Sequence, residues 1–134
     1  MKKYKKHILV VDDEITIRTL LVNIIGQEYE VTAKENGLQA LNWIQDGNIP
    51  DLIIADIKMP ELDGYQLVKH IRTSGLYSDI PLLMLSGSED SKTRISFYKL
   101  RVRNFIVKPF NPEELMVLVK LILDDLNELD ETQT

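Results

Sequence analysis

An α/β domain, a parallel sheet wound on both faces by helices, is the fold this sequence predicts, and three observations predict it. Five short runs rich in branched and aromatic apolar residues alternate with five segments of helical periodicity, the order that builds a parallel sheet through crossover connections. One run, Leu52 to Ala55, is apolar throughout and passes straight into Asp56; lack of alternation suits a strand buried on both faces. Polar residues follow four of the runs directly: Asp12 and Asp13, Asp56, Ser86, and Lys108. In an open parallel sheet those ends share one edge, where ligands and chemistry collect.

Each element has its own signal. His7 to Val11 is apolar and β-branched and stops at Asp12-Asp13-Glu14, so it reads as a first strand ending in acids. Ile17, Leu20, Leu21 and Ile24 fall at i, i+3, i+4 and i+7, the stripe of a helix packed on one face, and Gly26-Gln27 end it. Tyr29 to Ala33 is a short second strand whose alternating Glu30 and Thr32 place it at a sheet edge. Asn36, with Gln39 three residues later, has the form of a capping box opening a helix through Ala40, Leu41 and Ile44 to Gly47. After the third strand, Pro60 and Asp63-Gly64 turn the chain, and Asp63 caps a helix on which Gly64, Leu67, Val68 and Ile71 share a face before Ser74-Gly75. Leu82 to Leu85 is again continuous and ends in Ser86-Gly87-Ser88. Ser91 to Arg101 reads as a helix with a poor stripe, Ile95, Phe97, Tyr98 and Leu100 being spread around it, which predicts a helix held loosely. Phe105 to Val107 is the last strand, and Asn111-Pro112-Glu113-Glu114 opens the final helix with a cap, Pro at the first position and Glu at the third.

Composition excludes several classes. The chain has 134 residues, one domain by length, able to bury about two thirds of its unfolded surface. It has no cysteine, which removes a disulfide framework, a thiolate metal site and a cysteine nucleophile. Its apolar runs are far shorter than the ~20 residues of a membrane helix, and the run after the basic start is too short for a signal peptide. A soluble cytoplasmic domain is expected. Net charge is -5, with lysines gathered at the start and acids at the end, which argues against the basic stripe of a nucleic-acid surface. The first lysines read as a solvated tail, and residues 127–134 as a polar C-terminal tail or the start of a linker after a domain at 1–126.

Each polar strand end alone is explained as a helix cap or a solvated loop. Their convergence is not. Two carboxylates ~4 Å apart repel by about 4 kcal/mol at an effective dielectric near 20, so three together need a cation. Oxygen ligands without His or Cys favour a hard ion such as Mg²⁺, which also takes a phosphate oxygen. A carboxylate beside it can act as nucleophile and form an aspartyl phosphate, with Lys108 as fixed positive charge and Ser86 as hydroxyl donor. Such catalysis is positioning plus charge neutralisation.

These residues resemble the receiver domain of bacterial two-component response regulators, from about Lys6 to Leu126. The motifs "ILVVDDE", "DLIIADIKMPELDG", "PLLMLSGS" and "NFIVKPF" match in order and spacing. The resemblance implies a flavodoxin-like, doubly wound, five-stranded parallel sheet of order 2-1-3-4-5 with five helices. It implies Asp56 as phosphoacceptor and Asp12, Asp13, Asp56 and the backbone carbonyl of Lys58 as ligands of Mg²⁺, with Mn²⁺ as a substitute. Ser86 and Phe105 match the switch pair, and Lys108 the lysine of the family pattern, with a cis peptide before Pro109. The implied donor is a phosphohistidine on a sensor histidine kinase or a phosphotransfer protein. The implied role is a signalling domain in a phosphorelay, not an enzyme beyond self-phosphorylation and autodephosphorylation.

The chain departs from the family pattern in places. Arg101-Val102 stands where many members have Gly-Ala, and glycine there ends the fourth helix in a left-handed conformation. Gly87 replaces a common Ala, and Lys58 and Ser88 occupy positions that tune the phosphoryl lifetime. The last helix carries Leu115, Leu118, Val119, Ile122 and Leu126 on one face, with Met116, Val117, Leu121 and Leu123 beyond it. That excess points to a homodimer or effector surface on the last two helices and last strand, with neither nucleic acid nor membrane bound by this domain. Trp43 reads as half-buried packing. The alternative function is a phosphorylation-independent pseudo-receiver. A Mg²⁺-dependent aspartyl phosphatase is disfavoured because it needs a second acid where Lys58 stands, and a flavin site because the loop after the first strand is acidic.

Overall fold

The computed structural model describes residues 5–87 and 89–125; the start through Tyr4, Ser88, Leu126 and the tail 127–134 lie outside the described residues. Strands β1 (His7–Val11), β2 (Glu30–Lys34), β3 (Leu52–Asp56), β4 (Leu82–Ser86) and β5 (Asn104–Val107) form one parallel sheet in the order β2-β1-β3-β4-β5. Helices α1 (Ile15–Ile25), α2 (Gly37–Gln45), α3 (Gly64–Thr73), α4 (Ser91–Tyr98) and α5 (Pro112–Ile122) make the connections. This is the flavodoxin-like topology, with its switch point between β1 and β3.

Side chains alternate across each strand, so the sheet feeds two cores. Leu9, Val11, Ile53, Ala55 and Met84 meet Ala40, Ile44, Leu67, Ile71 and Phe97 of α2, α3 and α4. Ile8, Val10, Ile54, Leu83 and Leu85 meet Leu21, Ile25, Leu115 and Val119 of α1 and α5. β3 and β4 are buried along their whole length, whereas no residue of β2 is, as its edge position requires. Trp43 is half-buried against the first core, with its ring 5.4 Å from that of His7.

The expected caps form with one change. Asn36 accepts from the Gln39 N–H at 2.8 Å, but the Gln39 side chain accepts from Glu35 rather than from Asn36. Asp63 and Gln66 make a complete capping box, and Asn111 accepts from Glu113 and Glu114. Three packing details differ from the sequence reading. Leu20 is 40% exposed, because α1 turns the Leu21–Ile25 ridge to the sheet and carries its neighbour about 100° round toward solvent. β2 begins one residue late, since the Tyr29 N–H still bonds Ile25 and the ring is buried. Leu123, placed beyond the packed face of α5, is buried in the second core.

The fourth helix ends differently from the sequence reading, and the last two helices close alike. α4 stops at Tyr98 rather than running to Arg101. Arg101 takes the left-handed conformation (φ 62°), its N–H bonds Tyr98, and the Val102 N–H reaches back to Phe97. That bond pair is a Schellman motif, with Arg where glycine is favoured. α5 ends the same way at Asp124 (φ 60°), the Asp125 N–H bonding Lys120 at 2.7 Å; Leu126, which the sequence reading sets on this helix, lies outside the described residues.

Candidate functional site

The carboxyl ends of β1, β3 and β5 bring Asp12, Asp13, Asp56 and Lys108 together. Asp56 is the last residue of the fully buried β3 and is itself only 7% exposed. The start of α3 pins it. The Gly64 N–H donates to the Ile57 carbonyl at 2.8 Å, and a Cβ on Gly64 would lie 2.4 Å from the Asp56 carbonyl oxygen. Only a residue without a side chain lets α3 seat this closely on the strand end. A Cβ on Gly37 would likewise meet the Leu62 carbonyl at 2.1 Å, so α2 presses on the loop between β3 and α3.

Lys108 Nζ donates to Asp56 Oδ2 at 2.9 Å and to Asp12 Oδ2 at 3.3 Å. Asp12 is fully buried and accepts the Glu14 N–H at 2.9 Å, while Arg18 donates to its backbone carbonyl. Burial pushes the Asp12 carboxyl above its ordinary range, aided by the Asp56 charge and opposed by the Glu14 N–H and Lys108. For Lys108, burial pulls the ammonium down, but the hydrogen bond to Asp56 and the charges of both aspartates outweigh it, and the net shift is upward. One lysine thus bridges two carboxylates, those of Asp12 and Asp56.

Carboxylate oxygens of Asp12, Asp13 and Asp56 lie within 4.8 Å of one another. Three negative groups so close, all hard oxygen donors, suit a divalent cation such as Mg²⁺. Asp13 and Asp56 open onto a cavity of about 440 Å³ that Lys58, Lys108 and Glu89 also line. Lys58 is exposed. The Lys108–Pro109 peptide is cis.

Ser86 ends β4, buried, with its hydroxyl donating to the Glu89 carboxylate, and its carbonyl accepts the Lys108 N–H at 2.8 Å. Phe105 packs edge-on against Phe97 at 5.9 Å and Tyr98 at 5.8 Å, so it leans on α4 and not on the acidic cluster. Sequence reasoning missed Glu89, which resembles a solvated acid ahead of a helix; three-residue spacing from Ser86 was its sole signal. It also missed Arg18, whose i+6 reach to Asp12 no helical pattern announces.

The profile of the response regulator receiver domain matches residues 8–120. The ycf27 protein of Cyanophora paradoxa, named for transcriptional regulation, is 40% identical over 126 residues, 92% of this chain and 50% of that protein. The alkaline phosphatase synthesis transcriptional regulatory protein PhoP of Bacillus subtilis is 37% identical, over 88% of this chain and 48% of its own. The chain therefore spans about half the length of the curated relatives it matches. Among solved structures, the chemotaxis response regulator CheY4 of Vibrio cholerae superposes with a TM-score of 0.82 at 31% identity, covering 89% of this chain and 99% of that one.

Proposed function

Because this chain belongs to the family of response regulator receiver domains, we propose that Asp56 accepts a phosphoryl group from a phosphohistidine and that the domain switches conformation to control a partner. The observation that carries the reading is the placement of Asp56: buried at the end of the central strand, 2.9 Å from Lys108 Nζ, with Asp12 and Asp13 beside it. A carboxylate oxygen of Asp56 attacks phosphorus in line; the bond from phosphorus to the donor imidazole nitrogen breaks, and its electron pair stays on nitrogen. Lys108 turns from the carboxylates to a phosphoryl oxygen and neutralises it. Mg²⁺, when held by Asp12, Asp13, Asp56 and the Lys58 carbonyl, supplies positive charge against the carboxylates and the phosphoryl oxygens. Water later attacks the same phosphorus and restores the carboxylate.

Ser86 then donates to the new phosphoryl group, and Phe105 leaves its edge contacts with Phe97 and Tyr98. The signal is a population shift between two packings, which a few kcal/mol of differential interaction can drive. The donor is a sensor histidine kinase or a phosphotransfer protein. The partner surface is the face of α4, β5 and α5, where Ile95, Tyr98, Val107, Val117 and Leu121 are exposed, and a second copy or an effector covers it. No helix among the described residues is long and apolar enough to cross a membrane, in keeping with a cytoplasmic site of action.

Intact mass after treatment with Mg²⁺ and acetyl phosphate tests the reading. Wild type gains one phosphoryl mass (~80 Da) on a carboxylate nucleophile, and Asp56→Asn gains none. A wild type that stays unlabelled with both acetyl phosphate and a phosphohistidine donor favours a phosphorylation-independent interaction module instead.

A further inference from the structure

One group in the cavity over Asp56 takes no part in the phosphoryl transfer. Glu89 lies in the connection between β4 and α4 and lines the cavity with Asp13, Asp56, Lys58 and Lys108. Its carboxylate receives the Ser86 hydroxyl. A Cβ built on Gly87 would meet Glu89 Oε1 at 3.7 Å, so the Glu89 side chain folds back past Gly87 to reach Ser86. Its backbone is tied the other way: the Glu89 carbonyl accepts from the Arg94 guanidinium at 2.7 Å, and the next residue, Asp90, caps α4 through the Thr93 N–H at 2.9 Å. The residue that holds the Ser86 hydroxyl is thereby joined to the first turn of α4.

We propose that Glu89 is a latch, a positioning residue that keeps Ser86 turned away from the phosphoryl site and whose release carries the exchange to α4. The proposal rests on Asp56 being the phosphoacceptor. A serine hydroxyl has one hydrogen to donate, so it cannot serve Glu89 and a phosphoryl oxygen together. Phosphorylation replaces one charge-assisted hydrogen bond with another: the hydrogen stays on Ser86 Oγ, its acceptor changes from Glu89 to a phosphoryl oxygen, and the Glu89 carboxylate returns to water. No proton leaves. Freed from Ser86, Glu89 stays tied to α4 through Arg94 and the neighbouring cap Asp90, so the connection moves with the helix.

The test measures the rate of phosphoryl incorporation by intact mass, on the full chain with Mg²⁺ and acetyl phosphate. It compares wild type, Glu89→Gln, Glu89→Ala, Ser86→Ala and the double variant Ser86→Ala/Glu89→Ala. A hydrogen bond to a charged group sets the scale, and Glu89→Ala is expected to label about ten- to hundredfold faster than wild type. Glu89→Gln, which keeps an acceptor but not the charge, falls between them. In the Ser86→Ala background most of the gain disappears, because the latch acts through that hydroxyl. Equal or slower labelling of Glu89→Ala overturns the latch, as does a gain that persists in full without Ser86. Label on Glu89→Ala with none on wild type supports it. If no variant gains label on Asp56, the phosphoacceptor reading itself falls, and the latch with it.

Discussion

Helices α3 and α4 flank the same site and are built in opposite ways. α3 opens on a complete capping box, buries Gly64, Leu67, Val68 and Ile71 along one stripe, and starts in contact with the backbone of Asp56. α4 has an N-cap at Asp90 but buries Phe97 alone, leaving Ile95 and Tyr98 exposed. Arg72, in the last turn of α3, donates to the carbonyls of Ser78, Ile80 and Leu100 at 3.0, 2.7 and 2.8 Å, so α3 also holds the far end of α4. The near end of α4 is left to the β4–α4 connection. A helix that must fix a nucleophile has its packing spread over several residues; one that must respond hangs on one buried ring and opens at low cost.

Phe97→Ala is the most severe way to break this contrast. Removing a fully buried phenylalanine costs about 3–5 kcal/mol, and here the loss is concentrated on the one side chain that seats α4 and contacts Tyr65 and Phe105. Urea melts measure it; a cost below about 1 kcal/mol would mean that α4 is held by something else.

The fixed side carries the charge, and Asp12→Asn sharpens that. The folded-state pKa of Asp12 lies above the ordinary 3.8, because burial, with a smaller push from the Asp56 charge, outweighs the Glu14 N–H and Lys108. A group with a raised folded value contributes its stability in acid, and that contribution is lost as pH rises through the folded pKa. The amide variant should therefore be more stable than wild type at neutral pH without divalent ions, with the difference shrinking toward pH 4. Thermal melts across that range check it, and a difference that grows in acid would contradict the assignment.

Arg101→Gly gives the smallest effect. The left-handed conformation costs a residue with a Cβ about 1–2 kcal/mol, partly offset by the greater entropy of an unfolded glycine and by the bond from Arg101 to the Ser78 carbonyl. A net gain of about 0.5 kcal/mol is expected from chemical denaturation.

The parallel sheet was legible because Leu52 to Asp56 and Leu82 to Ser86 are apolar without alternation, which few structures other than a strand covered on both faces accommodate. The cluster of Asp12, Asp13, Asp56 and Lys108 was legible because each directly follows such a run. The end of α4 was not: Arg101 in a left-handed turn carries none of the glycine signal that marks a Schellman motif. Leu20 and Leu123 were misplaced because a helix with apolar residues on more than one face does not say which ridge meets the sheet. Glu89 was missed because its contact with Ser86 depends on how the β4–α4 connection folds back, which a three-residue spacing does not announce.

Amide hydrogen exchange, followed before and after treatment with Mg²⁺ and acetyl phosphate, tests the central claim most directly. If phosphorylation of Asp56 is read by the loosely seated helix, protection changes in α4, the connection carrying Glu89, and Phe105 of β5, while α3 from Gly64 to Thr73 stays as it was. A change centred on α3, or no change in α4 on a chain shown by mass to be fully phosphorylated, would contradict it.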